Sequence, residues 1–86
     1  MAKTTKGKKK VKKTTVDAGL KQLGERMKQL RIAKGYTNYE YFAYEHNLPR
    51  AQYGRYEAGG NITYKNLKKI VDAFDITLEE FFSEGF

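Results

Sequence analysis

"EHNLPRAQYGRYEAG" (Glu45–Gly59) holds the only proline of the chain and sets Arg50 and Arg55 among tyrosines. Proline suits the first position of a helix, where its missing N–H would have had no partner and its fixed φ is already helical. It also keeps the preceding residue, here Leu48, extended. Asn47 tolerates the left-handed conformation that stops a helix. Asn47, Leu48 and Pro49 therefore read as a stop, an extended apolar residue and a rigid restart. A compact helix over 49–57 follows, and another precedes it. Two short helices with an angled three-residue turn make a helix-turn-helix. With Leu48 at the cap position, no side-chain oxygen is offered to the first N–H groups, which leaves them for an anion such as a phosphate.

The flanking segments are helical as well. Leu20, Leu23, Met27 and Leu30 recur at spacings of three and four, one apolar stripe on a helix that runs to about Ala33 and is ended by Gly35. Thr37 and Glu40 fit a capping box, with Tyr36 and Tyr41 as the hydrophobic staple, so the spacing predicts a second helix from Asn38. Thr63 caps a fourth helix, with Ile62 and Leu67 as its staple and Leu67, Ile70, Val71 and Phe74 on its buried face. Thr77 and Glu80 form another box around a fifth, stapled by Ile76 and Phe81. The expected fold class is all-α with five helices. Phe42, Tyr53, Tyr56, Phe74, Phe81 and Phe82 fall on inner faces, which leaves Tyr39 and Tyr44 as exposed rings.

The 86 residues carry a net charge of +7, but unevenly. Met1–Gly19 contains seven lysines and one aspartate, and the remainder ten basic and nine acidic residues, so the excess sits almost wholly in the first segment. That segment lacks apolar periodicity and is dense in like charge, the composition of a disordered arm. The chain divides into a disordered basic N-terminal arm, residues 1–17, and a folded domain, residues 18–86. The arm is suited to following a phosphate backbone or simply to solubilising the chain.

Catalytic readings find little material. His46 is the only histidine and Ser83 the only serine, and cysteine is absent, so neither a nucleophile triad nor a three-histidine metal site can be assembled in one chain. Glu79 and Glu80 belong to the first turn of a helix, where the macrodipole favours them. No enzyme activity, metal, cofactor or small-molecule ligand is expected. No stretch approaches the roughly 18 apolar residues of a membrane span. A cytoplasmic, nucleoid-associated location is the expectation, without membrane contact.

"LGERMKQLRIAKGYT", "FAYEHNLPRAQYGRYEAG" and "NLKKIVDAFDITLEEFF" together resemble the lambda-repressor-like helix-turn-helix family, the Cro or xenobiotic-response-element type of regulator, over roughly Leu20–Phe82. The resemblance matches Ala43 to the buried alanine of the motif, Asn47 to its left-handed turn residue and Leu48 to its apolar turn residue. Tyr53 and Tyr56 take the two buried positions of the recognition helix, where aliphatic residues are usual. "GYTNYEYFA" is one residue longer than the usual approach to the buried alanine. The resemblance implies that helices 2 and 3 are the DNA-binding pair, with 49–57 as the recognition helix in the major groove. It implies base contact at Arg50, Ala51 and Arg55. Arginine's planar fork can engage O6 and N7 of guanine together. Gln52 can address adenine by the same two-point logic, or a phosphate. Arg31 and Glu57 stand where the family has a buried structural ion pair. Lys65 and Asn66, at the start of the fourth helix, and Tyr39, at the start of the second, are the phosphate candidates. Lys68 and Lys69 are divided between phosphate contact and a solvated face.

The sequence thus points to a sequence-specific regulator of transcription, a repressor, that binds a double-stranded operator as a homodimer. Phe82 and Phe86, in the fifth helix and C-terminal tail, are surplus to the core and mark the dimer contact. Two other functions fit the same residues. One is an antitoxin that represses its own toxin-antitoxin operon; the other is a coactivator-like adaptor that bridges proteins.

Overall fold

The computed structural model describes residues 17–86, which form five helices: α1 (Ala18–Ala33), α2 (Tyr39–Glu45), α3 (Arg50–Glu57), α4 (Tyr64–Ala73) and α5 (Leu78–Phe81). The fold class is all-α, as the apolar spacings require. The basic arm lies outside the described residues apart from Asp17. Its carboxylate caps α1, accepting from the amides of Gly19 and Leu20 at 2.8 and 3.1 Å.

Four of the five helices, α1 to α4, end where the sequence provides a stop. Gly35, Asn47, Gly59 and Asp75 all adopt positive φ, at 96°, 58°, 100° and 62°. Asn47 follows α2 as expected, and the Leu48 amide turns back to donate to the Ala43 carbonyl at 2.8 Å, closing the turn.

Two helix starts differ from expectation. α2 is capped by Asn38, whose Oδ1 accepts from the amides of Glu40 and Tyr41 at 2.7 and 3.2 Å, and not by Thr37. Asparagine is at least as good an N-cap as threonine, so two adjacent candidates competed and the second won. Glu40 then falls one residue short of the capping-box position, although the Tyr36 and Tyr41 rings still pack with centroids 5.8 Å apart. α3 begins at Arg50, with Pro49 as its extended cap residue (ψ 119°) instead of its first helical residue. A proline loses no N–H bond at either position, and its carbonyl accepts the first helical bond, from Tyr53 N at 2.9 Å.

The core gathers Met27 of α1, Phe42 and Ala43 of α2, Tyr53 and Tyr56 of α3, Leu67, Ile70 and Val71 of α4 with Phe74 just beyond it, and Phe81 of α5. Phe42 lies at its centre, stacked on Phe74 at 4.9 Å and tilted against Tyr53 at 5.3 Å. Thr63 caps α4, and Thr77 with Glu80 closes a complete capping box on α5. Phe82, read both as an inner-face residue and as surplus to the core, is 44% exposed, because α5 ends one residue earlier and turns that ring outward.

α1 meets the end of α3 without an intervening side chain. A Cβ at Gly24 would stand 2.4 Å from the Glu57 carbonyl oxygen and 2.6 Å from that of Tyr56. Backbone therefore abuts backbone, and only glycine fits.

Candidate nucleic-acid interface

α3 has a buried side and an open side. Tyr53 and Tyr56 face the core, 1% and 7% exposed, while Arg50, Ala51 and Arg55 are exposed. The Arg50 and Arg55 guanidinium groups have no ion-pair partner among the described residues, whose three ion pairs involve Arg26, Arg31 and Lys68. The four residues expected to address bases do not share one direction. Arg50 lies in a depression with Asn38, Glu40, Tyr41 and Tyr44 of α2 and its cap. Ala51 and Arg55 are open to solvent, whereas Gln52 is half-buried in a cleft shared with α4.

The open side is held in place from behind by an ion pair. Arg31 of α1 donates from Nε to Glu57 Oε2 at 2.8 Å and from Nη2 to Glu57 Oε1 at 3.2 Å, a two-pronged contact. Its third nitrogen donates to the Tyr36 carbonyl at 2.7 Å, so one side chain ties α1, the α1–α2 loop and the end of α3 together. The two side chains are 5% and 9% exposed. The Glu57 hydrogen bond raises the pKa of Arg31 further above its ordinary value, against the effect of burial. Beside this pair, the Tyr53 hydroxyl is buried with no hydrogen-bond partner among the described residues. Burial first, and the neighbouring Glu57 carboxylate second, push that phenol far above the ordinary tyrosine range.

Tyr39 lies across α3 at Gly54, where an added Cβ would come within 2.5 Å of the ring. It is 38% exposed and tilts against Tyr53 at 6.4 Å. Lys65 is exposed, and Asn66 is half-buried, donating its side-chain amide to the Tyr56 hydroxyl at 3.1 Å. The two undecided lysines separate. Lys68 pairs with Asp72 at 2.7 Å along the helix, whereas Lys69 lines the α3–α4 cleft with Gln52 and Asn66. His46 is half-buried, its Nδ1 2.8 Å from the Phe42 carbonyl oxygen.

One organising residue was not singled out in the sequence. Arg26, 8% exposed, donates from Nε to the Phe81 carbonyl at 2.6 Å and from Nη2 to that of Glu80 at 2.9 Å. It thereby satisfies the Phe81 carbonyl, which the end of α5 leaves open, and joins Ser83, whose Oγ donates at 2.6 Å, on that of Glu80. Its signal was its position, three residues after Leu23 and four before Leu30, which places a charge on the apolar stripe. With Gln22 Nε2 donating to the Gly85 carbonyl at 3.2 Å, it lays the tail against α1. The Phe82 and Phe86 rings then pack against each other, tilted by 53° with centroids 4.9 Å apart, and border a shallow depression with Leu20 and Leu23.

Among the described residues, no group of three or more His, Asp or Glu side chains is arranged to hold a metal ion, and no helix is long and apolar enough to cross a membrane.

A helix-turn-helix family model matches residues 27–81. Among solved structures, the restriction-modification controller protein C.AhdI from Aeromonas hydrophila is similar, at 36% identity with a TM-score of 0.68, covering 77% of this chain and 100% of that one. No curated protein matches. The matched segment spans α2, the turn and α3 with the helices that support them, and the chain belongs to the lambda-repressor-like helix-turn-helix family of DNA-binding transcriptional regulators.

Proposed function

We propose that the chain is a repressor that reads a specific operator as a homodimer, with α3 in the major groove of each half-site and no catalytic role. One observation carries this reading: α3 commits one side entirely to the core and leaves two unpaired guanidinium groups, Arg50 and Arg55, on the other. Arg55 stands over the open face and suits a guanine edge, with Ala51 beside it for an apolar contact. Arg50, set against the start of α2, reads the neighbouring position. Tyr39 and Lys65 lie on either side of this face as phosphate contacts. The partner copy meets the apolar patch of Phe82, Phe86, Leu20 and Leu23. Two such copies present recognition helices about 34 Å apart, one turn of the duplex.

The similarity to a protein named as a restriction-modification controller favours a second, narrower reading. In it, this regulator controls a restriction-modification operon, and genes for a methyltransferase and an endonuclease lie next to its own. A toxin gene there would favour the antitoxin reading instead.

The test is selection of bound duplexes from a random pool, with the unmodified protein and with Arg50→Ala and Arg55→Ala. Recovery of a two-fold symmetric site is expected. Loss of a reading arginine flattens preference at one base pair per half-site and costs about 1–3 kcal/mol. Failure to enrich any site would overturn sequence-specific binding, and sedimentation of Phe82→Glu as an unchanged dimer would overturn the dimer contact.

A further inference from the structure

Gln52, Tyr56, Asn66 and Lys69 line the cleft between α3 and α4. No carboxylate borders it. Its polar groups include three donors, the Lys69 ammonium, the Gln52 amide and the Tyr56 hydroxyl. The last of these is the informative one. A phenol both accepts and donates: the Tyr56 hydroxyl accepts from the Asn66 side-chain amide at 3.1 Å, while among the described residues no oxygen takes its own proton. Apolar side chains of Leu48, Pro49 and Ile70 complete the lining. The adjoining start of α3 has no side-chain cap.

We infer that this cleft is a seat for one phosphodiester of the DNA backbone, with Tyr56, Gln52 and Lys69 as its donors. The inference rests on the chain's binding duplex DNA and adds a contact that fixes α3 from its α4 side. It also moves Gln52 from base reading to backbone anchoring. Lys69, not Lys68, is the lysine of the pair that engages DNA, since the charge of Lys68 is already matched by Asp72. The hydroxyl at position 56 is what an aliphatic residue in that place would lack. The seat therefore depends on this chain's own tyrosine.

Lys69→Ala and Lys68→Ala remove the same charge from exposed positions on one helix, so they form a matched pair. Each is titrated by fluorescence anisotropy, over a range of KCl, against the duplex recovered by selection and against a scrambled duplex. Lys69→Ala is expected to lower the slope of log affinity on log salt by about 1 and to weaken both duplexes by the same factor. Lys68→Ala leaves the slope unchanged. Tyr56→Phe, checked for folding by its thermal melt, weakens both duplexes by about tenfold or less. In duplexes scanned with single methylphosphonates, one position weakens the unmodified protein and has no further effect on Lys69→Ala.

Equal slopes for Lys69→Ala and the unmodified protein would overturn the seat, as would equal losses from the two lysine variants or a methylphosphonate effect that persists without Lys69. If the unmodified chain itself bound neither duplex, the DNA-binding reading would fail instead, and the two failures are distinguishable.

Discussion

Replacing Arg31 by methionine removes three hydrogen bonds at once: two to the Glu57 carboxylate, at 2.8 and 3.2 Å, and one to the Tyr36 carbonyl, at 2.7 Å. The Glu57 side chain is only 9% exposed, so its charge stays behind with little water to replace the guanidinium. Stranding one partner of a buried pair costs about 3–5 kcal/mol. A single domain holds about 5–15 kcal/mol in all, so the variant approaches unfolding at ordinary temperature. Removing both charges is a different perturbation. Arg31→Met combined with Glu57→Leu strands nothing, and well-packed apolar substitutes for a buried pair are often neutral. The double variant is therefore expected to recover most of the loss, short of the contribution from the Tyr36 carbonyl, about 1 kcal/mol. Urea denaturation of the four proteins gives the coupling directly. If the single variants each cost less than about 1 kcal/mol, or if the double variant loses their sum, then the pair is not held as a buried unit.

Gly24→Ala pits helix propensity, worth about 1 kcal/mol in favour of alanine, against a Cβ 2.4 Å from a backbone oxygen. Overpacking of this kind typically costs about 1–3 kcal/mol, so the variant is destabilised, and a raised melting temperature would show that α1 and α3 are not in contact there. Arg26→Gln strands the Phe81 carbonyl, while that of Glu80 keeps Ser83 as donor; it lowers stability by about 1–3 kcal/mol and raises amide exchange in residues 81–86, whereas unchanged exchange would refute the anchoring. Alkali tests Tyr53. Its phenol keeps its proton in the fold above the ordinary value of 10.0, while the unfolded chain loses it, so its contribution to stability is complete below about pH 10 and is lost as pH rises beyond it. Tyr53→Phe is expected to flatten that fall in denaturation curves taken across this range, and an unchanged slope would exclude Tyr53 as its source.

Much of the fold was legible because it is local. Spacings of three and four found α1 and α4, and Asn47, Gly35, Thr63 and the Thr77–Glu80 box act where they stand in sequence. The misread starts of α2 and α3 are each a choice between adjacent residues of nearly equal merit, Thr37 against Asn38 and the cap against the first turn at Pro49. A single chain offers no local signal to break such ties. Gly24, Arg26 and the outward turn of Phe82 depend on which helix lies opposite, information that periodicity does not carry. At the candidate interface, residue types were readable but their directions were not. Gln52 and Lys69 meet only because α3 and α4 converge.

The glycine-lined contact between α1 and α3 has a bearing on how such regulators diversify. What fixes the tilt of α3 is main chain against main chain at residue 24, together with Tyr53, Tyr56 and Glu57, all on its inward side. Residues 50, 51 and 55 contribute to none of this support. Substitutions there leave the framework untouched, so under the base-reading role proposed above for these three positions, a new target site requires no compensating change in the interior.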